Sequence, residues 1–215
     1  MTDREGLIGQ CGALSSDGRI DALDERKAVM NIQELCHTGS PTQQQLAAAF
    51  GALGPVGVDM LVGLWEADPG YAETPGGRLL VESGWWGARF TDAETVDPLL
   101  FRSDDGDGLF AADLLRVLAL IREGAQNISA RRAEVETSAP IGRVRMIEYR
   151  GVVTATLVYD QVPVLDYLRA VDDNTVIAAV EGRATVDRPA YALLRRRPDP
   201  PAYAGLVSGE RFEHE

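Results

Sequence analysis

Histidine, cysteine and lysine are scarce in this chain of 215 residues, and each shortage removes a class of chemistry. His37 and His214 are the only histidines, too few for a histidine-rich metal site, and they make a haem with a proximal histidine a poor fit. Cys11 and Cys36 lack the paired spacing of zinc or thioredoxin-like motifs and are too few for a disulfide scaffold, so reduced thiols are expected. Lys27 is the sole lysine, which leaves no other residue for a Schiff base. Asp104, Asp105 and Asp107 resemble part of a calcium loop, but Arg116 falls near the position where its closing glutamate belongs, so a solvated turn is expected. The chain has no G-x-S-x-G nucleophile elbow and no G-x-x-x-x-G-K phosphate loop. Neither metal nor cofactor is therefore expected.

Long apolar runs are also missing, and the opening MTDREGLIGQ has acids where a signal peptide has positive charge, so a soluble, cytoplasmic protein is expected. The net charge of −12 argues against nucleic acid or an anionic membrane as partner. Most of the acidity lies in residues 1–110.

What the chain does have is β structure concentrated near its end. Between Gly142 and Arg183 run RVRMIEYR, VVTATLVYD, VPVLDYLRAV and TVIAAVEGR, separated only by Gly151, by Gln161 and Val162, and by Asp172-Asp173-Asn174. Such short breaks leave no room for the crossover helices of a parallel sheet, so the segment reads as an antiparallel meander. The fold class expected is mainly β with added α-helices. The meander is closed or partly closed into a lipocalin-like β-barrel, an analogy of fold alone, with N-terminal helices packed at one end.

Upstream, Asp21 to Leu35 suits an amphipathic helix. Ser40-Pro41-Thr42-Gln43 predicts a second helix, with Ser40 as cap and Pro41 at its first position, running towards Leu53 and stopped by Gly54-Pro55. Val58 to Trp65 reads as a short helix leading into a strand, Asp68 to Gly77 as loop, and WWGARF at 85–90 as a strand. Thr91 with Glu94 has the spacing of a capping box and predicts a helix ended by Pro98. Asp107 to Gly124 is the longest helix candidate after that, with Asp107 as cap; Asn127 to Pro140 reads as polar linker, and Ala190 to Arg195 as a last strand. The organisation expected is an arm and helix over 1–40, one barrel-like domain over 41–197 and a tail over 198–215.

GLWEA at 63–67, WWGARF at 85–90, DPLLF at 97–101 and the stretch from Arg143 to Gly182, closed by PAYALLRRR at 189–197, resemble the GXWXG-domain family together with the domain of unknown function that follows it. The resemblance covers about Gly51 to Arg197 and implies a compact, barrel-like β fold. It brings no established activity. The chain departs from the pattern at Ala67 in place of the motif's second glycine, at Ala88 in place of a basic residue, and at Asp97 in place of a histidine.

Candidate site residues come from the strands. Alternation puts Val153, Ala155, Leu157 and Tyr159 on one face, and Thr154, Thr156, Val158 and Asp160 on the other. In the next strand Asp166 shares a face with Val164 and Leu168, opposite Leu165, Tyr167, Arg169 and Val171. A carboxylate among aliphatic neighbours is costly to bury without a partner. Arg143, Arg145 or Arg150 on a neighbouring strand is the expected one, in a pair that is either structural or catalytic. Asp160, Asp166, Tyr159 and Arg169 are the candidate catalytic groups. Trp65, Trp85, Trp86, Phe90, Arg145, Tyr149 and Tyr167 are the candidate ligand contacts.

Three functions fit these residues. The first is a barrel that binds a small, largely apolar molecule. A second is a cofactor-independent isomerase or cyclase using the same cavity. The third is a protein-interaction module whose acidic half docks a basic partner. A homodimer is compatible with each.

Overall fold

The computed structural model describes residues 22–104, 108–183 and 188–197; the chain start with Cys11, the tail with His214, and Asp105 and Asp107 lie outside them. Eight antiparallel strands form a closed ring. In chain order the strands are β1 (Gly54–Pro55), β2 (Gly63–Ala67), β3 (Trp85–Phe90), β4 (Val96–Arg102), β5 (Leu109–Ala111), β6 (Gly142–Tyr149), β7 (Val152–Tyr159), β8 (Val164–Asp172), β9 (Thr175–Gly182) and β10 (Ala190–Arg196). The ring runs β2-β3-β4-β6-β7-β8-β9-β10 and returns to β2, so each barrel strand pairs with its neighbours in the chain. Closure is made by Leu194 opposite Ala67, Arg195 opposite Glu66 and Arg196 opposite Trp65. The seam between β4 and β6 is the thinnest, a single pair of Val96 with Gly142. There Val144 N–H also reaches Ala93 O at 2.7 Å. Two small strands sit outside the ring: β1 against β8 and β5 against β4.

Local chemistry explains most turns. Arg150 and Gly151 both have positive φ, 53° and 78°, which is the two-residue type I′ connection whose twist suits the β6–β7 hairpin. In β3, Gly87 has φ 155°, and a Cβ there would lie 2.0 Å from Trp65 O. The backbone of β3 therefore approaches β2 more closely than any side chain permits. The register shifts around Gly87 place Trp85, Ala88 and Phe90 inside and Trp86 outside.

The helices are α1 (Ala22–Thr38), α2 (Gln43–Phe50), α3 (Val58–Leu61), α4 (Pro75–Glu82), α5 (Leu114–Arg122) and α6 (Arg132–Val135), with 3₁₀ turns at Pro69–Glu73 and Ser129–Arg131. Helices α1 and α2 cover the outer wall of β8, β9 and β10, where Ile32, Leu46 and Phe50 meet Tyr167, Ile177 and Leu193. Helix α5 packs against β4 and β5 through Val117, Leu120, Phe101 and Phe110. Helix α3 enters β2 and closes the barrel floor; the 3₁₀ turn and α4 follow β2 and stand over the mouth.

Several expectations need correction. The cap of α2 is Thr42, in a full capping box with Gln45, two residues later than the Ser40 frame. Asp68 to Gly77 is not loop: Asp68-Pro69 and Thr74-Pro75 each place a cap before a proline, and each starts a helix. Residues 91–95 are a tight turn, closed by Thr91 N–H to Thr95 O and by Glu94 N–H to the Asp92 side chain, and strand β4 follows. Pro98 is tolerated there because it falls in the irregular stretch between Asp97 and Leu100. The helix expected from Asp107 starts later, with Asp113 as its cap, because Leu109 to Ala111 pair with β4 instead. The expected polar linker contains the second 3₁₀ turn and α6, with Ile128 and Val135 fully buried.

Candidate functional site

Trp65 fills the barrel floor. Its indole N–H donates to Leu61 O at 2.6 Å, and the Arg196 guanidinium covers the ring at 4.4 Å from its centre. Arg196 also donates to Val62 O at 2.6 Å and to Met60 O, tying α3 to β10. Eight strands enclose only enough room for side chains, and here Trp65, Leu61 and Val56 occupy the lower part. The upper part is not filled. An apolar cavity of about 40 Å³ remains, walled by Trp85, Ala88, Phe90, Leu157, Ala178 and Ala192 among others. It has room for one or two waters.

Two polar side chains from adjacent strands close on this cavity. Tyr159, at the end of β7, donates its hydroxyl to Asp166 Oδ2 on β8 at 3.0 Å. Asp166 is 8% exposed, and its Oδ1 has no hydrogen-bond partner among the described residues. Burial pushes the Asp166 carboxyl up from 3.8 to about 7, against the opposing pull of the Tyr159 hydrogen bond. A third polar group enters from above. Tyr71, in the first 3₁₀ turn, lines the cavity and meets Trp85 edge-on, ring centres 5.8 Å apart. Burial and then the nearby Asp166 charge raise the phenols of both Tyr71 and Tyr159, so both remain protonated near neutrality. Tyr71 is held there by α4: a Cβ on Gly77 would lie 2.1 Å from Tyr71 O and 2.6 Å from its ring.

Above Tyr71 lies a broad cleft of about 770 Å³, bounded by the 3₁₀ turn, the start of α4, the β7–β8 loop and the facing ends of β9 and β10. Tyr71 and Val180 line both the cleft and the cavity, so the two are separated by little more than one ring.

The sequence-predicted residues are distributed as follows. Tyr159, Asp166, Trp85 and Phe90 line the cavity. Trp65 lies beneath it. Arg169 projects from the opposite face of β8 and is 1% exposed under α2, over the Phe50 ring at 5.5 Å, donating to Tyr149 O at 3.0 Å. Tyr149 and Tyr167 stack on that outer wall at 3.8 Å. Asp160 is at the surface beside Arg143, Arg145 pairs there with Glu94 at 2.9 Å, and Trp86 belongs to an outer cluster with Leu64 and Leu100. The arginine partner expected for Asp166 is replaced by Tyr159. Arg143, Arg145 and Arg150 all point outward from β6 and its turn, and among the described residues none reaches the carboxylate. Of the positions that depart from the family pattern, Ala88 lines the cavity and Asp97 pairs with Arg89 at 3.3 Å. Tyr71 escaped the sequence reading, although the two cap-proline pairs flanking it signal an ordered helical segment.

Comparison with known proteins agrees with this architecture. The GXWXG protein family matches residues 48–106, and the domain of unknown function DUF4334 matches residues 140–196. The chain carries a GXWXG segment followed by a DUF4334 segment, at the positions the resemblance implies. The first segment supplies β2, β3 and β4 and the second supplies β6 to β10, so the two build one barrel between them. A crystal structure of a protein from Thermomonospora curvata is similar, with a TM-score of 0.63 and 25% identity over 80% of this chain and 99% of that one. No curated protein matches. No described helix is long and apolar enough to cross a membrane, and no described cluster of His, Cys, Asp and Glu has the make-up of a metal site.

Proposed function

We propose that this protein binds a small, largely apolar molecule at the barrel mouth, with one hydrogen-bonding atom of the ligand placed against Asp166. One observation carries the reading: the unpartnered Oδ1 of Asp166 in an otherwise apolar cavity. A buried carboxyl with one oxygen unmatched costs stability and is offset when a ligand supplies the missing partner. The enclosed space takes only the tip of such a ligand, and its body rests in the cleft above Tyr71. Decanol is a suitable probe. It should raise the melting temperature of the wild-type protein, increasingly as its concentration exceeds the dissociation constant. Ala178→Val adds two methyl groups to the cavity wall and should abolish that shift while the fold persists. An equal shift in both proteins would move the binding site out of the barrel.

A second reading, a cofactor-independent isomerase or cyclase, draws on the same group. A buried carboxyl raised to about 7 in an apolar cavity can exchange a proton with a bound substrate, while the neutral phenols of Tyr71 and Tyr159 donate hydrogen bonds. Asp166→Asn separates the readings, because it retains a hydrogen-bonding side chain of the same shape but removes the base. Loss of turnover of a bound metabolite with unchanged affinity supports catalysis.

A further inference from the structure

Resting on the reading of the barrel as a small-molecule binder, we infer that its ligand carries an anionic group at one end, held at the cleft rim by Arg183 and Arg188. Arg183 follows the end of β9 and Arg188 precedes the start of β10, and both line the cleft from the exposed side. Neither takes part in an ion pair among the described residues. The third element of the rim is the N-terminus of α4. Thr74, Pro75 and Gly76 line the cleft there, with the Gly77 N–H capped by the Thr74 hydroxyl, so the N-terminal end of that helix borders the same space.

Among the described residues one carboxylate also borders the cleft, that of Glu73. It is turned to the start of α2, where it accepts the Gln43 N–H at 3.1 Å. A positive rim is conspicuous on a chain of net charge −12, whose general field repels anions. Between rim and cavity the cleft wall is largely apolar, with Pro75, Pro163, Val164, Val180 and Pro189.

These features orient the ligand. An anion cannot occupy the inner cavity, because it would face Asp166 with no cation beside it. The charged end therefore stays at the arginines, the apolar body lies along the cleft, and the uncharged end passes Tyr71. The ligand class is an apolar molecule ending in a carboxylate or a similar anion, bound by charge-assisted hydrogen bonds.

10-Hydroxydecanoate and decanol share the apolar chain and the hydroxyl that reaches Asp166 and differ in the charge at the other end, so titrating the full-length protein with each, followed by tryptophan fluorescence, isolates the rim. 10-Hydroxydecanoate should bind about tenfold more tightly than decanol at low salt. Arg183→Ala combined with Arg188→Ala should erase that advantage and leave decanol affinity unchanged, with an unaltered melting temperature, since both side chains are exposed. Equal affinities for the two probes in the wild type, or an advantage that survives in the double variant, overturns the anionic class while the barrel reading stands. Failure of both probes to bind overturns the barrel reading together with the inference.

Discussion

Asp166 and Arg169 stand three residues apart on β8, both buried and both ionisable, yet they face opposite sides of the barrel wall. The outer side is packed. Arg169 lies against the Phe50 ring and gives one hydrogen bond to Tyr149 O, while its Nε and Nη1 are buried without a partner among the described residues. The inner side has space. Asp166 keeps one oxygen free next to an apolar hollow that opens, past one tyrosine, to a large cleft. Both charges are buried; the hollow beside Asp166 is what sets the inner one apart.

The largest expected effect belongs to the packed side. Phe50→Ala removes a fully buried ring that contacts Tyr149 and Tyr191 and supports Arg169, and should cost about 3–5 kcal/mol in denaturant unfolding. Decanol affinity should be unchanged in the folded fraction. A matching loss of affinity would mean that the two faces are coupled.

Asp166→Asn sharpens the contrast through pH. The native carboxyl at about 7 lies above its ordinary 3.8, so the folded state holds the proton more tightly than the unfolded one. Its contribution to stability is therefore undiminished below about pH 4 and is lost as pH rises through about 7. Asparagine removes that loss. The variant should exceed the wild type by a few kcal/mol at pH 8 and show little difference at pH 4, as read from urea midpoints. A pH-independent difference would show that the carboxyl is not titrating in a dry site.

The smallest effect is that of Tyr159→Phe, which deletes the one donor to Asp166 Oδ2. About 1 kcal/mol should be lost above pH 7, and the Asp166 carboxyl should titrate higher still in carbon-detected NMR. An unmoved titration would show that the hydroxyl does not hold the carboxylate.

The four C-terminal strands were legible because their signals are local. A period of two and turn residues such as Arg150-Gly151 and Asp172-Asp173-Asn174 set strand boundaries without reference to anything distant. Facing was legible too: alternation put Asp166 with Val164 and Leu168, and Tyr159 with Leu157. The N-terminal half misled where a local signal serves another purpose. Thr91 and Glu94 resemble a helix cap but belong to a tight turn, and Leu109 to Ala111 fit a helical period yet are claimed by the edge of β4. Arg143 and Arg145 illustrate a further limit. Their charges made them attractive partners for Asp166, but a one-residue change of face sends a side chain to the other side of a wall.

By itself the sequence determined that consecutive strands pair as a meander and which side chains within each strand share a face, since side-chain alternation and turn preference act over a few residues. Only the tertiary structure decided that β10 returns to β2 and closes the ring, that Trp65 fills the floor, and that Tyr71 comes down over the mouth to leave a hollow at Asp166. Those outcomes depend on contacts between segments far apart in the chain, where volume and register are set by the whole barrel at once.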